Sequence, residues 1–136
     1  MSCQSFGFFS IRLPNFSAIK RIRKAKRPQP LIDILTSNYK KGDFKLLRDI
    51  AKKAKGEHAI ESLAGSYVDI FKANKTKECK EPLEILYEKM NCGIHRNSLI
   101  EILIENKALS SRLKKEIKYD SYLETRQLIN SKKNVR

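Results

Sequence analysis

Few side chains in this sequence are of types that do chemistry, and their spacing decides how far they can be taken. Cys92-Gly-Ile-His95 is a C-x-x-H pair, with Cys79 and His58 upstream of it. Thiolate and imidazole are zinc ligands, but a closed tetrahedral site needs four donors, and only His58 is near enough in sequence to be the fourth. The pair is half a site, and residues of these types are common in a turn between two helices. We therefore expect Cys92 and His95 to be ordinary turn residues, with no metal or other cofactor.

The remaining chemistries fail on composition. A nucleophile needs a base beside it, acid–base hydrolysis needs paired carboxylates, and phosphate chemistry needs a glycine-rich loop. The chain has two histidines and five scattered glycines, none of them in such a motif. It reads as non-catalytic.

The elements that would position these residues are helices. With 136 residues, 40% hydrophobic and 32% charged, the chain has the composition of one soluble domain. Its wealth of Lys, Ile, Leu and Glu favours helix over strand. Three cysteines at irregular spacing form no disulfide framework and suit a reducing compartment, which points to the cytoplasm. No apolar run approaches the roughly 20 residues of a membrane-spanning helix. The start, MSCQSFGFFSIRLPNF, is too broken by Arg12 and Pro14 for a secretory signal.

The first 30 residues stand apart as a basic arm. Arg12, Lys20, Arg21, Arg23, Lys24, Lys26 and Arg27 supply seven of the fourteen net positive charges, and no acid occurs before Asp33. A solvated tail is the plain reading of such a run. The same residues have the composition of a mitochondrial transit peptide, and Lys20 to Arg27 could equally serve nuclear import or contact phosphates. Phe16, Ile19 and Ile22 also leave a short amphipathic helix open. Pro28 and Pro30 end the arm, so the fold is expected over residues 31–130, with a charged tail at 131–136.

From Leu31 onward the apolar period is helical. Leu31, Ile32, Ile34 and Leu35 form a short cluster. Asp43 is expected to cap a helix carrying Phe44, Leu47, Ile50, Ala51 and Ala54 inward, and Gly56 to stop it. Glu57 opens the next helix, with Ile60, Leu63 and Ala64 inward and a break expected at Gly65-Ser66 before Tyr67, Val68, Ile70 and Phe71. KANKTKECKE reads as a loop. Pro82 suits the first turn of a helix with the stripe Leu83, Leu86, Tyr87 and Met90, ended by Asn91 and Gly93. Asn97 or Ser98 is expected to cap a helix bearing Leu99, Ile100, Leu103 and Ile104, and Ser110 one bearing Leu113 and Ile117. Tyr122, Leu123, Leu128 and Ile129 form a last periodic segment. The fold class is all-α, an antiparallel bundle of about six helices.

Two basic helix faces follow from this register: Lys45, Arg48, Lys52, Lys53 and Lys55, and Arg112, Lys114, Lys115 and Lys118. No aromatic residues are interleaved to stack bases, which argues against single-strand recognition.

The segment from Pro82 to Ile117 resembles the last three helices of a death domain. Leu83, Leu86 and Tyr87 match the first of these, Tyr87 standing where the family commonly has Trp. Asn91 to Gly93 match the Gly-containing turn, Leu99, Ile100 and Leu103 the L-x-x-x-L helix, and Leu109, Leu113 and Ile117 the last. Upstream, DFKLLRDIAKKAKGEHAIESL looks like the first two helices, so the likeness spans about residues 43–120.

The resemblance implies an adaptor or signalling domain of apoptosis or innate immunity, assembling by homotypic contacts with itself or another death-fold protein. It also implies that basic and acidic patches on different helices meet head to tail. Here those patches would be Lys45, Arg48 and Lys52 against Glu57 and Glu61. The alternatives are a basic helical nucleic-acid-binding protein, using the arm from Lys20 to Arg27, and an inhibitor or immunity-type protein covering an acidic partner. The charge of +14 and pI near 9.8 are compatible with each.

Overall fold

The computed structural model of the chain describes residues 32–133, with side chains to residue 130. The expected arm, with Lys20, Arg21, Arg23, Lys24, Lys26 and Arg27, lies outside the described residues. Within them are seven α-helices and no strand: α1 (Leu35–Asn38), α2 (Phe44–Lys53), α3 (Glu57–Ala73), α4 (Lys80–Lys89), α5 (Gly93–Glu105), α6 (Ser111–Glu116) and α7 (Leu123–Lys133). Two 3-10 turns, Lys77–Cys79 and Ile117–Tyr119, join α3 to α4 and follow α6. Among the described residues, no helix is long and apolar enough to cross a membrane.

The helices form a bundle in which α5 is central, packed on α3, α4 and α7. Leu99, Ile100, Ile102 and Leu103 are all buried, so α5 is apolar on more than one face, as a helix with neighbours on several sides must be. The expected stripe of Leu99, Ile100 and Leu103 holds. Ile102 joins it and Ile104 is only partly buried. Around α5, α1 packs on α3 and α2 on α4. The stripe Leu83, Leu86, Tyr87 and Met90 of α4 is buried throughout.

Several local expectations are corrected by packing. α3 does not break at Gly65-Ser66 but runs through them, because Ile60, Leu63, Ala64, Tyr67, Ile70 and Phe71 bury one continuous face. That burial outweighs the roughly 1 kcal/mol intrinsic cost of a helical glycine. The expected loop from Lys72 shrinks to a few residues, since α3 extends to Ala73 and Cys79 is buried just before α4. Asp43 stands at the start of α2 with helical dihedrals, so its carboxylate does not cap the helix; Oδ2 accepts from the Lys40 N–H at 2.8 Å. Phe44 is half-buried, and Leu46 takes its place in the core beside Leu47 and Ala51. The chain leaves α2 through an extended Ala54 and turns at Gly56, whose φ of 92° favours glycine.

Asn97 and Ser98 are not caps, because α5 already begins at Gly93. Asn97 instead accepts from the buried Thr125 hydroxyl at 3.1 Å, tying α5 to α7. Gly93 is no helix terminator either. It opens α5 at a close approach, where a Cβ would lie 2.9 Å from the Tyr122 Cβ. The Ser110 cap is as expected: its Oγ accepts from the Leu113 N–H at 3.2 Å. The last helix runs to Lys133, three residues into the segment expected as tail.

A polar node closes the C-terminal part on the bundle. Asp120, whose side chain is 3% exposed, receives Arg96 Nε at 2.9 Å, Arg96 Nη2 at 3.0 Å and the Tyr87 hydroxyl at 2.9 Å. Burial raises the affinity of this carboxyl for its proton. The bonds from Arg96, the Tyr122 N–H and Tyr87 outweigh it and hold the group below the ordinary carboxylate range. Its contribution to stability is therefore complete above that range and is lost as pH falls toward the lowered native value.

Two predictions follow from these contacts. In urea titrations, Gly65→Ala, at an exposed helical position with open space around it, is expected to raise stability by about 0.5–1 kcal/mol. Gly93→Ala is expected to lower it by about 1–3 kcal/mol, because Tyr122 must shift. In acid unfolding followed by circular dichroism, wild-type stability should fall as pH drops below about 4, and Asp120→Asn should flatten that limb. Asp120→Ala at neutral pH should cost about 3 kcal/mol, since it leaves Arg96 without its counter-ion.

Candidate interaction surface

α2 presents its charged side chains because its inner face is fully used. Leu46, Leu47 and Ala51 pack inward, leaving Lys45, Lys52 and Lys53 exposed, with Lys55 just beyond. The helix is held at two places. The buried Tyr67 hydroxyl donates to the Leu47 carbonyl at 2.7 Å. At the C-terminus, Lys89 Nζ from α4 donates to the carbonyls of Ala51, Lys52 and Ala54 at 2.8, 2.7 and 3.0 Å. A cation at that end satisfies orphan carbonyls and complements the helix dipole.

The expected basic set divides. Lys45 and Lys52 have no side-chain partner among the described residues. Arg48 is tied down: it bonds Asp49 Oδ1 at 3.2 Å, lies 3.8 Å from Glu81 and sits 6.0 Å from the Phe44 ring centre. On the second basic face, Arg112 reaches Glu84, Glu88 and Glu116 at 3.3, 2.7 and 2.7 Å. It is surrounded by carboxylates and presents no cation to a phosphate. Lys114, Lys115 and Lys118 remain exposed.

The expected acidic set also has partners within the molecule, Glu57 at the surface and Glu61 half-buried. Glu57 accepts from Asn91 Nδ2 at 3.2 Å. Glu61 is half-buried and turns toward the turn before α5, where its carboxylate, the Cys92 thiol and the His95 imidazole lie within 4.8 Å of one another. The backbone N–H and imidazole of His95 push the Cys92 thiol below its usual range. Cys79 and His58 do not join this group. Cys79 is a core residue, 0% exposed, whose thiol receives Asn106 Nδ2 at 3.6 Å and is pushed up to about 11 by burial. His58 is exposed on the first turn of α3.

Most other acids are likewise engaged inside the fold. Glu78 accepts from the Tyr39 hydroxyl at 2.7 Å and the Gly42 N–H at 3.1 Å, Glu105 pairs with Lys75 at 3.5 Å, and Glu101 accepts from Asn97 at 3.3 Å. Asp33 and Asp69 are exposed and have no side-chain partner among the described residues. They line an open cleft between α1 and α3, together with Thr36, Ser62, Ser66 and Lys72. No motif in the sequence marks this cleft; its trace is the small and polar stripe Ser62, Gly65, Ser66 and Asp69 at helical spacing, within which Gly65-Ser66 is the pair expected to break the helix. Comparison of the chain with family models, curated proteins and solved structures finds no match.

Replacing Lys89 by Met keeps the aliphatic stem and removes three hydrogen bonds from the end of α2. It is expected to cost roughly 1–2 kcal/mol and to raise amide exchange selectively at Ala54, the residue just beyond α2.

Proposed function

We propose that this chain is a non-catalytic protein-interaction module that docks the basic face of α2 against an acidic surface, in a second copy of itself or in another domain of death-fold type, in the cytoplasm. One observation carries the reading. On α2, Lys45, Lys52 and Lys53 are exposed with no side-chain partner among the described residues, and on the α1–α3 cleft so are Asp33 and Asp69. Unlike charges on different helices suit a head-to-tail contact, which need not close as a twofold dimer. Such patches set partner choice and association rate more than lifetime.

The specific death-fold form rests on the helical pattern over residues 43–120, and the charged side chains support it in altered positions. Arg48, Glu57 and Glu61 are engaged within the molecule, so Lys45 and Lys52 take the basic role, and Asp33 and Asp69 replace Glu57 and Glu61 in the acidic one. The aliphatic stems of the lysines also lend contact area at such a face.

Light scattering coupled to size exclusion tests the reading on the full chain. Wild type is expected to form concentration-dependent oligomers at low salt that dissociate as salt shortens the Debye length to about 3 Å near 1 M. Lys45→Glu with Lys52→Glu should be monomeric at low salt with an unchanged helical circular-dichroism spectrum, and Asp33→Lys with Asp69→Lys should behave alike. Mixing the two variants should restore association. A wild-type monomer that instead shifts labelled duplex nucleic acid in a salt-dependent way would replace this reading with the nucleic-acid one.

A further inference from the structure

The turn between α4 and α5 carries a group of side chains that the interaction surface does not use. Cys92 immediately precedes α5 and His95 lies in its first turn, so the C-x-x-H spacing puts thiol and imidazole on one side of the helix start. Packing of α3 on α5 then adds a third donor from a distant part of the chain, the Glu61 carboxylate. One donor atom of each residue lies within 4.8 Å of the other two.

We propose that Glu61, Cys92 and His95 form a binding site for one divalent ion of the zinc class. A tetrahedral zinc bound to sulfur, nitrogen and oxygen sets its donors about 3.4–3.6 Å apart, given bond lengths of roughly 2.0–2.3 Å. The three donors lie within 4.8 Å of one another, so binding an ion would require side-chain rotation to close them to that spacing. A thiolate with an imidazole selects zinc and its neighbours over magnesium or calcium, which prefer oxygen alone.

Two further features point to a ligand. Nδ1 of His95 is buried and has no hydrogen-bond partner among the described residues, although the residue as a whole is half-exposed. Such a nitrogen is costly unless a proton donor, an acceptor or a metal satisfies it. In a chain of net charge +14, a bare cation would be repelled. Here one thiolate and one carboxylate balance the two charges of the ion, so the occupied site is neutral. The N–H groups of the neighbouring Arg96 are taken up by Asp120, Ser121 and the carbonyls of Met90 and Asn91, so none is left to bond this group.

All three residues are half-buried, so an ion can reach them from solvent and a fourth position stays open to water. Occupancy would link Glu61 on α3 to the start of α5, two elements otherwise joined there by packing. The site would then add to stability by mass action, more as free ion rises above its dissociation constant. This inference does not depend on the interaction reading above.

Full-length protein stripped with a chelator under reducing conditions and titrated with Co(II), then Zn(II), tests it. One Co(II) per chain should produce a thiolate-to-metal charge-transfer band and visible bands of tetrahedral intensity, displaced by one Zn(II). Cys92→Ser should abolish the charge-transfer band. Cys92→Ser and His95→Ala should each weaken zinc binding beyond the ~100-fold upper range of outer-shell changes, and Glu61→Gln by about tenfold or more. His58→Ala and Cys3→Ser should leave it unchanged. Zinc should also slow alkylation of Cys92, read by mass spectrometry of the labelled peptide. Circular dichroism checks each variant; if His95→Ala unfolds, the loss of the band in Cys92→Ser decides. A charge-transfer band that survives Cys92→Ser, zinc binding lost with Cys3→Ser, or Cys92 alkylation indifferent to zinc would each overturn the site.

Discussion

Arg96 is the side chain on which the arrangement of the second half of the molecule depends. Each of the five guanidinium N–H groups has an acceptor: Asp120 Oδ2 and Oδ1, Ser121 Oγ, and the carbonyls of Met90 and Asn91. The two carbonyls belong to the end of α4, Arg96 itself to the first turn of α5, and Asp120 to the segment leading into α7. A planar fork of fixed geometry thus sets three chain segments relative to one another. Tyr87 adds a fourth link, since its ring is in the core and its hydroxyl donates to the same carboxylate.

That node explains features that otherwise look unrelated. Holding Asp120 against α5 brings Tyr122 over the start of the helix, and only a residue without a Cβ fits beneath it at position 93. It also orients the Cys92–His95 turn, because the residue after His95 is the one held most firmly. The node is largely dry, with Asp120 3% and Arg96 14% exposed, so each partner is required by the other. A buried pair of this kind is costly to break, since separating the two leaves a desolvated charge behind.

The charge of the surface follows from the same logic of internal satisfaction. Every Asp and Glu of the chain lies at or after Asp33. Many of them accept from tyrosine, arginine, amide or backbone donors, as with Glu78, Glu84, Glu88 and Asp120. Lysines, with flexible stems and strongly hydrated heads, are left outside. On α2, Lys45, Lys52 and Lys53 stay exposed, and Asp33 and Asp69 stay exposed at the α1–α3 cleft. Arg48 and Arg112 count as basic residues in sequence. In space they are counter-ions of carboxylates on their own molecule.

What could be read from the sequence is what depends on neighbours within one or two turns. The all-helical class, the stripe Leu83, Leu86, Tyr87 and Met90, the Ser110 cap and the inward Leu113 and Ile117 are set by helical periodicity and local hydrogen bonding, and they stand. Gly65 and Gly93 depart from their local expectation because a glycine carries opposite meanings according to what faces it: open space at one, the Tyr122 side chain at the other. The pairing of Arg96 with Asp120 and the meeting of Glu61 with Cys92 and His95 join residues far apart in the chain. No local spacing encodes those distances. They are decided by how α3, α5 and the C-terminal segment pack, because only burial brings such donors and acceptors within bonding range and makes leaving them unpaired costly.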